Sequence, residues 1–557
     1  MPKPTSEFVH AQGPKSRFTF RDLDRLGKYS PQSPLRVIAL VDYDAFYAQC
    51  ETVRLNLDAS QPLAVQQWHA IIALNYPARG FGFSRGASVD DVKRLCPNII
   101  IQHVATWREG ESSWAYRSDA ADPEIMKKDK AALDPYRIQS RRSLKVIANH
   151  LPPAPLQRIE KASVDEVFLD LSAQVHSILL SRHPELAVPN DPQSSLPSPP
   201  QNARLDWKTD NLVPTFLDFE ESEHFDWDDV ALNIGAEIIR ALRKELFEKL
   251  HYTCSAGVAQ NKAIAKLAAG SKKPDWQTVV RSRAIPLFLS TCKMTSIRGL
   301  AGAFGSKAEE AFGTSNIPDL LEVSQEEMVA VFGAKDGLWL FRIIRGIDHS
   351  EVIPRTDPQS MLAQKTFVPP LTGLNQASSW MRIFTADLVG RLNDLRVESG
   401  CFRRPTTLAV HHHIRGRFGT TMSKQCTLSP HTNIDEETIF HLAMKQLKTI
   451  TDDLYPAWPC LSFGLSFHGL VKEEQNNQRI TSFMPATLER SHSSEETRKR
   501  RRDGAELEPS RKQPATPFKD TTGENGYLCP SCGKTVQSAN VLEHLDWHVA
   551  MDLQKQL

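Results

Sequence analysis

The sequence contains no run of about 18 consecutive apolar residues, the minimum for a helix that crosses a bilayer. Net charge of either sign is nearly absent too: the formal total is +1 over 557 residues. A partner of strong charge cannot be inferred from that total and would have to meet a local surface. Cysteines are few, nine in all, and most stand singly. That excludes a disulfide-stapled scaffold and points to a reducing compartment, with a local exception at Cys529 and Cys532. The opening residues, with Lys3, Glu7 and Lys15 among them, lack the apolar core of a signal peptide. What is present is 40% hydrophobic and 24% charged residues, in a chain long enough for several domains with separate cores.

The most informative stretch follows a short apolar run, Arg36–Leu40, that reads as a buried strand. It ends by delivering Asp42 and Asp44 in Val41-Asp42-Tyr43-Asp44-Ala45-Phe46-Tyr47. A second segment, Ala162–Asp170, carries the adjacent carboxylates Asp165 and Glu166 inside another strand-like pattern. Charge in such runs is unfavourable unless compensated. Oxygen donors converging from two strands suit Mg²⁺, and two such ions about 4 Å apart can serve a phosphoryl transfer.

Between these segments, "NYPARGFGFSRGAS" is a flexible Gly/Arg loop of the kind that approaches phosphate. Downstream, Gly235–Leu250 is an amphipathic helix and Thr253–Ala259 a strand. "AQNKAIAKLAAGSKKPD" then opens a helix near Asn261, with Lys262 and Lys266 on one face. Short helices broken by Gly299, Gly302 and Gly305 suggest a helix-hairpin-helix, whose amides can hold DNA phosphates. Residues 357–472 alternate four period-2 strands with helices at Ala377–Leu395 and Glu436–Thr449. His411, His412 and His413 are successive on a strand and cannot converge on a metal. The irregular stretches are 106–133, the Pro/Ser-rich and then acidic 175–230, and the N-terminal 1–34, which has a short helix at Phe20–Leu26. From Asp134-Pro135 a helix is expected, capped by Asp134, with Arg137, Arg141, Arg142 and Lys145 on a solvated face.

The C-terminus has Cys529-x2-Cys532-x11-His544-x3-His548, a closed tetrahedral Zn²⁺ pattern. Its helix shows Glu543, Asp546 and Asp552, which would repel DNA phosphate. Upstream lie the basic cluster Arg498–Arg502, with Arg511 and Lys512, as a nuclear localisation signal.

"VDYDAFYAQCE" and "ASVDEVFLDL" resemble the palm motifs of the Y-family of translesion DNA polymerases, in wording nearest its eta branch and the fungal members of it. The resemblance implies a right-hand α+β multidomain fold: palm, fingers and thumb, plus a little-finger domain and a C-terminal ββα zinc finger. Its boundaries here are an arm at 1–34, palm at 35–44 and 112–274 with an insertion at 175–230, and fingers at 45–111. A thumb with the helix-hairpin-helix follows at 275–356 and the little finger at 357–472. The tail is 473–523, and a ubiquitin-binding zinc finger closes the chain at 524–557.

Carried over by position, Asp42, Asp165, Glu166 and the Tyr43 carbonyl bind two catalytic Mg²⁺ ions, and Tyr47 is the steric gate against a ribose 2′-hydroxyl. Tyr76, Arg79 and Lys266 hold the incoming triphosphate, Arg85 reaches over the base, and Gln66 touches the template. Small Gly86 and Ala87 leave room for two linked template bases. Arg403, Arg404, Arg415, Arg417 and Lys424 of the little finger would line phosphates. In the finger, Cys529, Cys532, His544 and His548 bind one structural Zn²⁺, and Asp546 and Ala550 meet ubiquitin. Implied partners are primer-template DNA, deoxynucleoside triphosphates, and ubiquitin or the ubiquitinated sliding clamp, PCNA. "NQRITSFM", with Ile480 and Phe483, weakly resembles a motif for that clamp. The activity implied is template-directed DNA synthesis past damaged bases in the nucleus. The competing reading is a non-catalytic adaptor recruited to the ubiquitinated clamp.

Overall fold

The computed structural model describes residues 15–187, 191–200, 205–215, 225–414, 421–453 and 456–473, with the short strands at 527–528 and 535–536. The zinc-ligand pattern, Asp546, Ala550, Ile480, Phe483, the basic cluster at 498–502, Arg415 and Arg417 lie outside them.

A six-stranded mixed sheet forms the centre. At its heart the Ile38–Tyr43 strand runs antiparallel to Cys254–Ala259 on one side and to Glu166–Asp170 on the other. Val37 through Val41 are fully buried, so the strand is apolar until it surfaces at Asp42. The strand therefore acts as a rigid stalk with its acidic end at the rim.

One face of the sheet packs on the Trp227–Leu250 helix, whose Ile239, Leu242 and Leu246 are fully buried. That helix begins eight residues before the expected Gly235, because Asp226 and Asp229 form a reciprocal capping box. On the other face the Lys262–Ser271 helix starts at Asn261, whose side chain accepts from the Ile264 N–H at 3.0 Å.

A three-stranded sheet, Leu63–Gln67 flanked by Ala70–Leu74 and Ile100–His103, forms a smaller unit beside the first acidic strand. Residues 285–343 are mainly short helices, including Ala303–Phe312 and Gln325–Ile343, the latter broken at Gly333, where φ is 82°. The C-terminal unit is the expected two helices on four strands, Leu374–Ser399 and Glu436–Asp453 on the strand order 360–371, 460–472, 403–414, 421–427. His412 points into its core and is fully buried, while His411 lies on the other face beside Ser466.

Several expectations change. The stretch 106–133 is not irregular: Ala105–Trp107 pairs with Lys130–Ala132, and Trp107 is buried in the core of the C-terminal unit. Asp134 does not cap its helix but is the first residue within it, and its carboxylate is held by Arg137 and Arg391. The helix's basic face is only partly solvated, since Arg141 pairs with Glu398, one arm at 2.8 Å.

The N-terminal arm and the insertion are built into the molecule where described. Lys15–Thr19 pairs antiparallel with Ser195–Pro197. Ser16 Oγ donates to Asp226 at 2.6 Å, Arg17 pairs with Asp228 at 2.6 Å, and Trp227 Nε1 donates to the Pro197 carbonyl at 2.7 Å. Asn211–Leu212 adds an edge strand to the central sheet. Among the described residues no helix is long and apolar enough to cross a membrane.

Candidate active site

Asp42 and Glu166 stand directly opposite each other across two neighbouring strands. Asp165 precedes Glu166 in the connecting turn, and its carbonyl accepts the Tyr43 N–H at 2.9 Å. The Ser163 hydroxyl shapes that turn by accepting from the Asp165 and Glu166 N–H groups, at 3.2 and 3.0 Å, while donating to Asp165 Oδ1 at 2.5 Å. The three carboxylates therefore share one end of the central sheet.

Their charge shows in their acidity. Burial pushes the Asp42 carboxyl up to about 7, with Lys273 opposing and Glu166 and Asp165 adding to the rise. Asp165 is raised as well, mainly by burial, with Glu166 adding and Arg85 among the opposing charges. Lysines answer this: Lys273 Nζ donates to Asp42 Oδ1 and Lys266 Nζ to Glu166 Oε2 at 2.5 Å. Among the described residues no three acidic, histidine or cysteine side chains are already closed into an ion cage. The donor set nonetheless fits a hard divalent cation, being all oxygen and gathered at one end of the central sheet.

Asp44 is set apart. It is buried, accepts Ser255 Oγ at 2.8 Å and the Asp275 N–H at 2.9 Å, and so ties the turn after Lys273 to the first acidic strand.

Of the residues that the resemblance assigns to the nucleotide, Tyr76 and Arg85 lie near this end. Asn75 caps a one-turn helix, Tyr76–Arg79, that places the Arg79 guanidinium 4.4 Å from the Tyr76 ring. Tyr76 lies near Asp44, Asp42 and Lys273. Arg85 is exposed and within electrostatic reach of Asp165. At Gly86 φ is +84° and a Cβ would meet nothing within 4 Å. Tyr47 is nearly buried and its ring stacks on Tyr136 at 4.1 Å. Gln66 turns its amide back onto the Trp68 carbonyl.

Other residues are elsewhere engaged. Lys262 pairs with Glu160 at 2.7 Å and with the Glu351 carbonyl at 3.1 Å, not with the acidic set. Arg403 is buried against Asp357 at 2.6 Å, Arg404 donates to the Thr432 carbonyl at 2.7 Å, and Lys424 pairs with Asp453 at 2.9 Å. Arg403 in particular cannot line a DNA phosphate while buried. Sequence reasoning missed Lys273, because "SKKPD" after a helix reads as a solvated turn.

Two family profiles match the chain with this geometry: the impB/mucB/samB family over residues 41–270 and that family's C-terminal domain over 358–481. The chain belongs to the impB/mucB/samB family, the Y-family of polymerases. Two further profiles match: a DNApol eta/Rev1 HhH motif over 294–347, where the broken helices were expected, and a Ubiquitin-Binding Zinc Finger over 525–556. DNA polymerase eta of Saccharomyces cerevisiae is 29% identical over 71% of this chain and 70% of its own length. DNA polymerase eta of Arabidopsis thaliana is 32% identical over 68% of this chain and 53% of its own. N-acetyltransferase eso1 of Schizosaccharomyces pombe is 34% identical over 84% of this chain and 52% of its own. The Y-family chain thus spans about half the length of two of these relatives and more than two thirds of the third.

Proposed function

We propose that the protein is a template-directed DNA polymerase that extends a primer past damaged bases, pyrimidine dimers included. The observation that carries this is the placement of Asp42, Asp165 and Glu166 at one end of the central sheet, ringed by Tyr76, Arg79, Lys266 and Lys273. An adaptor would need neither the acidic set nor the cationic ring around it.

In this reading residues 35–44 and 112–274 are the palm, 45–111 the fingers, 275–356 the thumb and 357–472 the little finger. Asp42, Asp165, Glu166 and the Tyr43 carbonyl would hold two Mg²⁺ ions, which when bound neutralise charge on the polyphosphate. Tyr76, Arg79, Lys266 and Lys273 orient the triphosphate so that its α-phosphorus faces the primer 3′-hydroxyl, and positioning supplies most of the rate gain. Tyr47 blocks a 2′-hydroxyl, Arg85 covers the base, Gln66 supports the template base, and the open side at Gly86 and Ala87 admits two linked bases.

The tail, with Arg498–Arg502, directs the protein to the nucleus. Cys529, Cys532, His544 and His548 would hold Zn²⁺, and Asp546 and Ala550 contact ubiquitin, on the sliding clamp among other carriers.

Primer extension decides the central point. Asp165→Ala with Glu166→Ala should abolish extension while primer-template binding persists, and extension retained in that variant overturns the reading. On a template with a cis-syn thymine dimer the unaltered protein should insert two adenines and continue.

A further inference from the structure

The two lysines on the acidic set do more than the polymerase reading requires of them. Lys273 is bonded to Asp42 and Lys266 to Glu166, and those two carboxylates face each other across adjacent strands. Both lysines leave the 254–259 strand on one short segment, Lys266 inside the 262–271 helix and Lys273 just past its end.

Lys273 is held in place rather than trailing on the surface. Asp275, two residues on, has a left-handed backbone with φ of 57°. Its N–H donates to buried Asp44 at 2.9 Å, and its carboxylate takes Arg243 at 2.5 Å. The turn is pinned to the same strand that carries Asp42.

An ammonium bonded to a carboxylate oxygen uses the lone pairs that a hard cation needs. A divalent ion and two ammoniums within a few ångströms of one another also repel strongly. Cation and lysines therefore compete for the same oxygens.

We propose that Lys266 and Lys273 are resident counter-ions of the carboxylate set, displaced when a divalent cation enters and re-paired with the polyphosphate of the incoming nucleotide. The proposal rests on the polymerase reading and deepens it. A cation arriving alone strands two ammoniums next to it. A cation arriving with a nucleotide leaves every charge with a partner. Because coupling between two ligands is reciprocal, the nucleotide must raise the cation's affinity by the factor by which the cation raises the nucleotide's. The pocket so built resists loading by ion alone and accepts the ion–nucleotide pair.

The test is Mn²⁺ binding to the full chain, followed by electron paramagnetic resonance with and without a non-hydrolysable deoxynucleoside triphosphate, in the absence of DNA. The Asp165→Ala, Glu166→Ala chain supplies the baseline for Mn²⁺ held elsewhere. In the unaltered protein the nucleotide should tighten Mn²⁺ binding about tenfold or more. Lys273→Met and Lys266→Met, shown by circular dichroism to be folded, should each bind Mn²⁺ alone about three- to tenfold more tightly and lose most of the nucleotide's effect. Variants that bind Mn²⁺ alone no better than the unaltered protein overturn the proposal. Mn²⁺ absent from the site in every form, nucleotide or not, removes the metal-binding reading and the proposal together; Mn²⁺ binding that ignores the lysines removes the proposal alone.

Discussion

Tyr47 depends on a neighbour for its position. Its ring lies on Tyr136 with 14° between the planes, and Tyr136 is in turn fixed by donating to Glu51 at 2.7 Å. Tyr116 donates to the same Glu51 oxygen at 2.7 Å, and Arg54 pairs with the other at 2.6 Å. Removing the supporting ring should let Tyr47, the proposed gate, tilt. Tyr136→Ala is expected to raise ribonucleotide over deoxyribonucleotide incorporation about tenfold, equivalent to about 1.4 kcal/mol of lost discrimination. Tyr136→Phe, which keeps the ring, should change it far less. Single-nucleotide kcat/KM values for the two sugars check this.

A second residue-scale expectation concerns acid. His412 is fully buried, edge-on to Trp458, and neither ring nitrogen finds a hydrogen-bond partner among the described residues. Burial, with His413 adding, pushes its pKa down to about 4. A histidine depressed in the folded state binds its proton more readily when unfolded. Its contribution to stability is therefore complete above about pH 6.5 and falls away toward pH 4, by about 3 kcal/mol. Thermal melts across that range should show the decline, and His412→Leu should flatten it. Alternation along the strand already put successive histidines on opposite faces, but which one faced inward needed the helices. Lys273 was hidden for a different reason: its sequence neighbours are polar, and only the bond from Asp275 to Asp44 reveals that the turn is held.

Among the elements, the helix bearing Lys266 sits closer to its sheet than a side chain would allow. A Cβ on Gly257 would lie 2.0 Å from the Ala265 carbonyl oxygen and 2.5 Å from the Ala269 nitrogen. Gly257→Ala must push the helix outward, carrying Lys266 off Glu166. Overpacking of this kind costs about 1–3 kcal/mol, read as a lower melting temperature with a larger loss of extension than of DNA binding. The helix itself was legible, since Asn261 followed by an Ala/Leu-rich run is a start signal with local causes. So were the two acidic strands, whose apolar runs stop where the carboxylates begin. The pairing of 105–107 with 130–132 was not, because Trp107 looks misplaced in a polar stretch until the C-terminal unit supplies its core. Arg403 failed in the opposite direction, since a basic residue near a strand start reads as exposed and Asp357 draws it inward.

Across the whole molecule, the C-terminal unit of four strands and two helices is joined to the 105–134 stretch by buried charge as well as by apolar contact. Arg391 donates to Asp134 at 2.9 Å and to Asp387 at 2.9 Å, and Lys130 pairs with Asp387 at 2.8 Å. Lys365 donates to the Met126 and Asp129 carbonyls and lies 4.5 Å from the Trp68 ring centre. Breaking one member strands the others away from water. Asp387→Ala should cost about 3–5 kcal/mol, whereas Asp387→Leu combined with Lys130→Leu should cost less, because no charge is left unpaired between them. Differential scanning calorimetry would show the single variant splitting one transition into two. Four strands and two helices over 357–472 could be read from periodicity, but the seam could not, since its partners lie some 250 residues apart and no local pattern announces them.

The pairing of Lys15–Thr19 with Ser195–Pro197 has a consequence for synthesis. The first strand leaves the ribosome long before its mate exists, and at about 5–20 residues per second the delay across roughly 180 residues is about ten to forty seconds. Through that interval Phe18 and Leu23, later among the buried residues, stand open to chaperones and proteases alike. Phe18 and Leu23 are therefore covered only after the chain beyond residue 195 has been made, and the 38–43 strand waits longer still, for its mate at 254–259.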